Sequence, residues 1–332
     1  MKITFFSTKP YDKVFFNQHN EKFGFEIEYY ETHLGPHIIN VVDTTDAVCV
    51  FVNDKVNAEV IGELANKGVK VIALRCAGFN NVDLEAAKAN GIKVCRVPAY
   101  SPEAVAEHAV AMMLTLNRKT HKAYNRVREQ NFALNGLLGF DVHGKTVGVI
   151  GTGNIGKAFC KIMLGFGCKV VAFDVFANKE LEDMGVTFMP VLDVFKQSDI
   201  ISLHCPLNEQ TKHIVNSETI AYMKKGVLLI NTSRGALIDT KAVIDALKSR
   251  QIGYLGIDVY EQEGNLFFRD LSDDIIEDDT IQRLMSFPNV LVTAHQAFFT
   301  EEALSQISEI TLHNINDLMK GETLTNKAAQ LL

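Results

Sequence analysis

The chain has 332 residues, 47% of them apolar and 22% charged, which is enough for two domains of ordinary size with separate cores. A net charge of −7 with no run of Lys and Arg excludes an extended nucleic-acid footprint. No apolar run approaches the roughly 18 residues of a membrane span, so no membrane partner is expected. The opening MKITFFSTKP is too short in apolar residues for a signal-peptide core and reads as a first strand, which places the chain in the cytoplasm. Cysteines fall at 49, 76, 95, 160, 168 and 205, form no CxxC pair and lie partly in apolar runs such as DAVCVF and IKVCRV. Reduced, buried thiols are expected, with neither a disulfide framework nor a metal site.

Short apolar runs alternate with helical patterns from end to end, the mark of parallel sheets joined by crossover helices. In the first hundred residues strands are predicted near 2–6, 26–30, 46–52, 69–74 and 92–97, with helices such as NAEVIGELANKG and LEAAKANG closed by Gly. A long helix then opens at SPEAVAEHAV, where Ser101 caps and Pro102 suits the first helical position, and runs on to about 130. Its apolar stretch is expected to be buried between domains or subunits. A second run of strands follows near 146–150, 169–173, 186–189, 199–204, 227–231, 254–258 and 289–293, and the chain ends in helix. The expected architecture is α/β, two doubly wound parallel-sheet domains. Residues 101–298 form one domain inserted into the other, which comprises 1–100 and 299–332. The acidic run 269–279 reads as a solvated loop.

After the strand KTVGVI comes Gly151-Thr-Gly153-Asn154-Ile155-Gly156, followed by the helical KAFCKIMLGFG. Alone, GxGxxG says little; between a strand and a helix it is a dinucleotide fingerprint. The glycines permit a tight turn and close approach of backbone to pyrophosphate, and the helix N-terminus meets the phosphate charge. The next strand ends in Asp174, 18 residues past Gly156, placed to accept both ribose hydroxyls and to repel a 2′-phosphate. NAD is therefore the expected cofactor. The fingerprint begins at 151, so a separate domain precedes it.

Ligands of open α/β sheets bind outside the carboxyl ends of the strands. Three of these ends in the second domain carry Thr232-Ser233-Arg234, Glu261-Gln-Glu263 and His295-Gln-Ala-Phe298. An Arg, an acid and a His on one rim suit hydride transfer to a 2-oxo acid. Arg234 can hold the carboxylate by two parallel hydrogen bonds, and His295 can give a proton to the carbonyl oxygen. An acid beside His295, either Glu261 or Glu263, would favour the imidazolium and fix the ring. His204, at the end of another strand, reads as structural or as part of an adenine pocket.

These residues resemble the D-2-hydroxyacid dehydrogenases, with the fermentative D-lactate-type members as the nearest subgroup. Six blocks carry the resemblance in order: VPAYSPEAVAEHAV, GKTVGVIGTGNIGKA, DIISLHCPL, NTSRGALID, GIDVYEQE and AHQAF. It implies a flavodoxin-like substrate domain beside a Rossmann NAD-binding domain, with Arg234, Glu263 and His295 as the catalytic set. Of the two acids, the family pattern selects Glu263. The resemblance assigns NAD to Asn154, Ile155, Asp174, Cys205, Pro206, Thr232, Ser233, Arg234 and Asp258, besides the three glycines. It assigns substrate contacts to Ala77, Gly78, Tyr100 and Phe298, together with Arg234 and His295; Phe51, at the end of the strand DAVCVF on the rim of the first domain, is expected to limit substrate size. It also implies homodimers or homotetramers. The stretch GNLFFRDLSDD after Glu263 departs from phosphoglycerate-type members. Pyruvate reduced to D-lactate is the leading reaction. The alternatives are a dehydrogenase for larger 2-oxo acids such as 2-oxoisocaproate or phenylpyruvate, and a non-enzymatic, corepressor-like NAD-binding protein.

Overall fold

The computed structural model describes residues 1–332, the side chain of Asn265 excepted. The chain divides into two compact units, Met1–Ser101 with Phe299–Leu332, and Pro102–Phe298.

The first unit is built on five parallel strands, β1 (Lys2–Phe5), β2 (Glu26–Tyr29), β3 (Ala47–Val50), β4 (Val71–Leu74) and β5 (Lys93–Arg96), in the order β2-β1-β3-β4-β5. The central strands AVCV and VIAL are buried at every position, as a sheet covered by helices on both faces requires. This order is the flavodoxin-like one. The last long helix, Glu301–Lys320, belongs to this unit and is tied to β5. Lys93 Nζ donates to Leu318 O at 2.9 Å, and Asn314 Nδ2 donates to Arg96 O at 3.0 Å.

The second unit has seven parallel strands: β6 (Thr146–Ile150), β7 (Lys169–Phe173), β8 (Thr187–Phe188), β9 (Ile200–Leu203), β10 (Val227–Asn231), β11 (Ile252–Ile257) and β12 (Val290–Val292). Their order is β12-β11-β10-β9-β6-β7-β8. Chain order reverses between β6 and β9, the switch point where a doubly wound Rossmann sheet opens a crevice for its ligand.

Two expectations are corrected here. The helix predicted from 101 to about 130 is two helices, Pro102–Arg118 and Thr120–Arg128, broken where Lys119 takes the left-handed conformation at φ 51°. The apolar face of the first helix lies in the core of its own unit, where Ala109, Met112, Met113 and Leu116 pack with Val147, Leu228 and Ile230. Full burial of the Met and Leu side chains stabilises by about 1.5–3 kcal/mol each. The second helix has no buried residue and exposes Tyr124 and Val127. The acidic run 269–279 has no buried residue and is loop up to Asp279, as expected. Asp278 caps the helix Asp279–Ser286 and accepts a hydrogen bond from Tyr260 Oη at 2.9 Å. All six cysteines are free and buried. Among the described residues no helix is long and apolar enough to cross a membrane.

Candidate active site

The turn after β6 is shaped by two glycines for reasons internal to the protein. Gly151 sits at φ 92°, and a Cβ there would lie 2.5 Å from Cys205 N; at Gly156 it would lie 2.0 Å from Gly151 O. Gly153, which caps the helix Asn154–Gly165, has nothing within 4 Å of its Cβ position. The open side of the turn thus leaves room for a pyrophosphate at the helix N-terminus. At the end of β7, Asp174 Oδ2 accepts from Thr152 N at 2.5 Å and from Thr152 Oγ1 at 2.9 Å. Burial opposes ionisation, yet the hydrogen bonds from Thr152 hold the Asp174 carboxyl below the usual carboxylate range. An anionic acid is thereby fixed beside the turn.

At the end of β9, His204 packs on Phe159 with ring centroids 4.9 Å apart and hydrogen-bonds Ser202 Oγ at 2.8 Å. Burial pushes its pKa down to about 3, so the ring is neutral. Cys205 is buried, Pro206 is exposed, and Ser233 Oγ donates to Cys205 O at 2.7 Å, bridging the ends of β9 and β10. Thr232 Oγ1 is a buried hydroxyl oxygen with no hydrogen-bond partner among the described residues. An orphan hydroxyl on this rim, together with the open face at Gly153, fits a site built for a bound dinucleotide.

Beyond β10, Arg234 is half-buried, its Nη1 donating to Ser233 O at 2.7 Å. Gly235 is needed here because a Cβ would come 2.1 Å from Tyr260 C, so this turn presses on the one after β11. That second turn separates the two acids. Glu261 is committed to His213 Nε2 at 2.8 Å and to Thr240 Oγ1 at 2.8 Å. Glu263 Oε2 accepts from Tyr260 N at 2.9 Å, and its Oε1 meets His295 Nδ1 at 2.8 Å. His295 itself has φ 52°, an unusual backbone for a non-glycine residue, and its N–H is held by Asp258 O at 2.7 Å.

What sustains that backbone is a buried carboxylate. Asp258 has no exposed surface. Its Oδ1 accepts from Thr293 Oγ1 at 2.5 Å and Gln296 N at 2.9 Å, and its Oδ2 from Ala297 N at 2.9 Å. His108, from the helix Pro102–Arg118, adds Nε2 at 3.5 Å from Oδ1 and 3.1 Å from Thr293 Oγ1. Burial would raise the Asp258 carboxyl, but these donors hold it below the usual range. Sequence reasoning missed His108, because a single His inside an apolar helical stripe carries no signal of its own. It also missed Gly235. Phe298 is buried at the end of this segment.

In the first unit the remaining candidates lie on the carboxyl rim of their own sheet. Phe51 follows β3, with its N–H on Asp54 Oδ2 at 2.6 Å and the Arg75 guanidinium 5.0 Å from its ring centroid. Ala77 and Gly78 follow β4, where Ala77 O accepts from Arg96 Nη1 at 2.7 Å. Tyr100 follows β5.

A dinucleotide turn and an Arg, Glu and His on one rim narrow the choice to hydride-transfer enzymes. The sequence profile of the D-isomer specific 2-hydroxyacid dehydrogenase NAD binding domain matches residues 110–297. The D-lactate dehydrogenase of Escherichia coli is 53% identical over 327 residues, covering 98% of this chain and 99% of that one. The chain belongs to the D-2-hydroxyacid dehydrogenases. This dehydrogenase superposes on the pyruvate reductase of Chlamydomonas reinhardtii with a TM-score of 0.94, 46% identity and 98% of each chain covered. It superposes on the D-lactate dehydrogenase of Aquifex aeolicus, a structure complexed with NAD and lactic acid, with a TM-score of 0.87 and 34% identity. There 99% of this chain and 98% of that one are covered. The dehydrogenase is an NAD-dependent oxidoreductase, and the residues matched by the NAD binding domain profile, 110–297, lie within the Pro102–Phe298 unit.

Proposed function

We propose that the enzyme reduces pyruvate to D-lactate, with His295 as proton donor. The observation that carries this reading is the 2.8 Å bond between His295 Nδ1 and Glu263 Oε1. It uses Nδ1 and leaves Nε2 as the nitrogen that gives its proton to the carbonyl oxygen. NADH, when bound, would supply the hydride for the carbonyl carbon, while His295 Nε2 provides the proton for the carbonyl oxygen. Asn154, Ile155 and Asp174 hold the cofactor with the three glycines of the turn, and Cys205, Pro206, Thr232, Ser233 and Asp258 complete its surroundings. Arg234 anchors the substrate carboxylate through its planar fork, fixing the carbonyl carbon in one orientation. Glu263 holds the imidazole ring in register and balances its positive charge. Phe51, Ala77, Gly78, Tyr100 and Phe298 supply the remaining substrate contacts, which makes residues 1–100 with 299–332 the substrate domain. The D-lactate dehydrogenase and pyruvate reductase names of the relatives support the choice of substrate.

Two further parts of this reading rest on other features. Six buried, free thiols fit the reducing cytoplasm. Self-association is supported by Phe132, Leu134 and Leu138, which are 73%, 81% and 86% exposed in the segment after the second helix. The test of the reaction is NADH oxidation against a panel of 2-oxo acids, with the configuration of the product read by a stereospecific assay. Pyruvate is expected to have the highest kcat/KM and to yield the D-isomer. A higher kcat/KM for 2-oxoisocaproate or phenylpyruvate overturns the choice of substrate. A Glu263→Gln variant with unchanged kcat overturns the assignment of the His295 pair.

A further inference from the structure

We propose that the NAD-binding unit carries a second anion site, separate from the dinucleotide turn, which takes a small phosphorylated anion with two or more phosphate charges. A cleft of about 730 Å³ opens in this unit, within the size range of small-molecule sites. Gly226 before β10, Gly253 at the second position of β11 and Asn289 before β12 all line it. The strands are parallel, so the cleft is at their amino ends, whereas Gly151, Arg234 and His295 are at the carboxyl ends.

The charge of the cleft runs against that of the protein. The chain is −7 overall, yet Lys119, Lys122, Lys248, Arg250 and Arg283 line this one space and no Asp or Glu does. Lys119 Nζ donates to Leu138 O at 2.7 Å and Lys122 Nζ to Pro288 O, so each spends an N–H on a neutral carbonyl that leaves its charge uncompensated. Of the five, only Lys248 forms an ion pair among the described residues, an exposed one with Asp245 at 2.9 Å. Burial together with the neighbouring Lys119 and Arg126 lowers the Lys122 pKa, and burial together with Lys122 lowers that of His121. In both, burial is the larger cause and the neighbouring cations the smaller, so the shifts accompany the crowding of cations in the cleft, which an anion would relieve.

Two further features suit phosphate. His121 Nδ1 is buried at the cleft without a hydrogen-bond partner among the described residues. Arg283 lies over the Phe287 ring, its guanidinium 4.5 Å from the ring centroid and its Nη1 3.4 Å from Ser286 Oγ, and its planar fork suits bidentate oxygens. One carboxylate would answer one of these cations. Five cations in this volume call for a ligand with several charges, and the Tyr254 and Phe287 rings offer a surface for whatever carries them.

The test is calorimetric titration of the whole enzyme with pyrophosphate after saturation with NADH, so that the dinucleotide turn is already filled. Saturable binding is expected, weakened about tenfold or more in R250Q/R283Q and weakened again by added salt. Both arginines are exposed and outside the dinucleotide site, so the double variant should keep its kcat and its KM for NADH. ADP and a sugar bisphosphate, run as competitors, distinguish a nucleotide from a sugar as the carrier, and displacement by either supports the site. Absence of binding at millimolar pyrophosphate overturns the proposal. So does binding that the double variant leaves intact, or a change in oligomeric state in that variant without pyrophosphate binding, which would make the cleft a contact between copies.

Discussion

Replacing Asp258 with Asn changes one buried oxygen into an NH2 group and removes the charge, with almost no change in shape. The best orientation of the amide keeps oxygen at the Oδ1 position, where Thr293 Oγ1, Gln296 N and His108 Nε2 converge. The NH2 group then faces the N–H of Ala297, which had been donating to Oδ2 at 2.9 Å. Two donors oppose each other at a position with no exposed surface. Leaving a buried donor unsatisfied costs about 1–3 kcal/mol, so the pair together with the lost charge should cost about 3 kcal/mol. For a unit of about 200 residues that is a fall in Tm of roughly 6–12 °C. The strained segment carries His295 at φ 52°, so the loss reaches the reaction, and a shift of about 1 Å there should lower kcat/KM about 100-fold. Thr293→Val, which removes one donor and leaves the carboxylate with the others, should cost only about 1 kcal/mol. Thermal melts and steady-state rates of both variants check this. A D258N protein that melts with the wild type and keeps its kcat/KM would refute the view that this carboxylate holds the His295 segment in place.

Asp174→Ser should narrow the preference for NADH over NADPH by removing the charge that repels a 2′-phosphate. It should also raise KM for NADH because Thr152 loses its partner, and unchanged cofactor kinetics would contradict both effects. Arg234→Lys keeps the charge and loses the fork, so kcat/KM for the 2-oxo acid should fall by a factor of ten or more while NADH binding changes little; steady-state kinetics at saturating cofactor decide it. Phe51→Leu should shift preference toward bulkier 2-oxo acids by roughly 1–3 kcal/mol, read from ratios of kcat/KM across a substrate panel. The neutral His204 takes up a proton on unfolding below its ordinary pKa of 6.5, but in the folded protein only near 3. Its contribution to stability is therefore present above pH 6.5 and lost as pH falls from there toward 3. Denaturant melts of His204→Gln between pH 7 and 5 should show a shallower decline than those of the wild type.

The strands were legible because a parallel sheet buried on both faces writes its members as nearly continuous apolar runs: AVCV and VIAL are unbroken, IISL is interrupted only by Ser202, and VLLIN is apolar up to its last residue. The rim was legible for a related reason: parallel strands deliver their carboxyl ends to one edge, however far apart in the chain those ends lie. The break at Lys119 left no trace, since neither Gly nor Pro marks it. The apolar stripe of Pro102–Arg118 reads the same whether it faces its own sheet or another subunit, so only the packing against Val147 and Leu228 could place it. The basic cleft was invisible because its cations come from residues 119–122, 248–250 and 283, none of which forms a charge run. The choice between Glu261 and Glu263 shows where pattern stops. Both lie in one turn, two residues apart, and both are acids at a strand end. What separates them is occupancy: Glu261 has both oxygens engaged by His213 and Thr240. Glu263 rests one oxygen on the Tyr260 N–H and turns the other to His295. An acid already committed to two partners would have to break those bonds to serve a third, so the turn leaves the imidazole to Glu263.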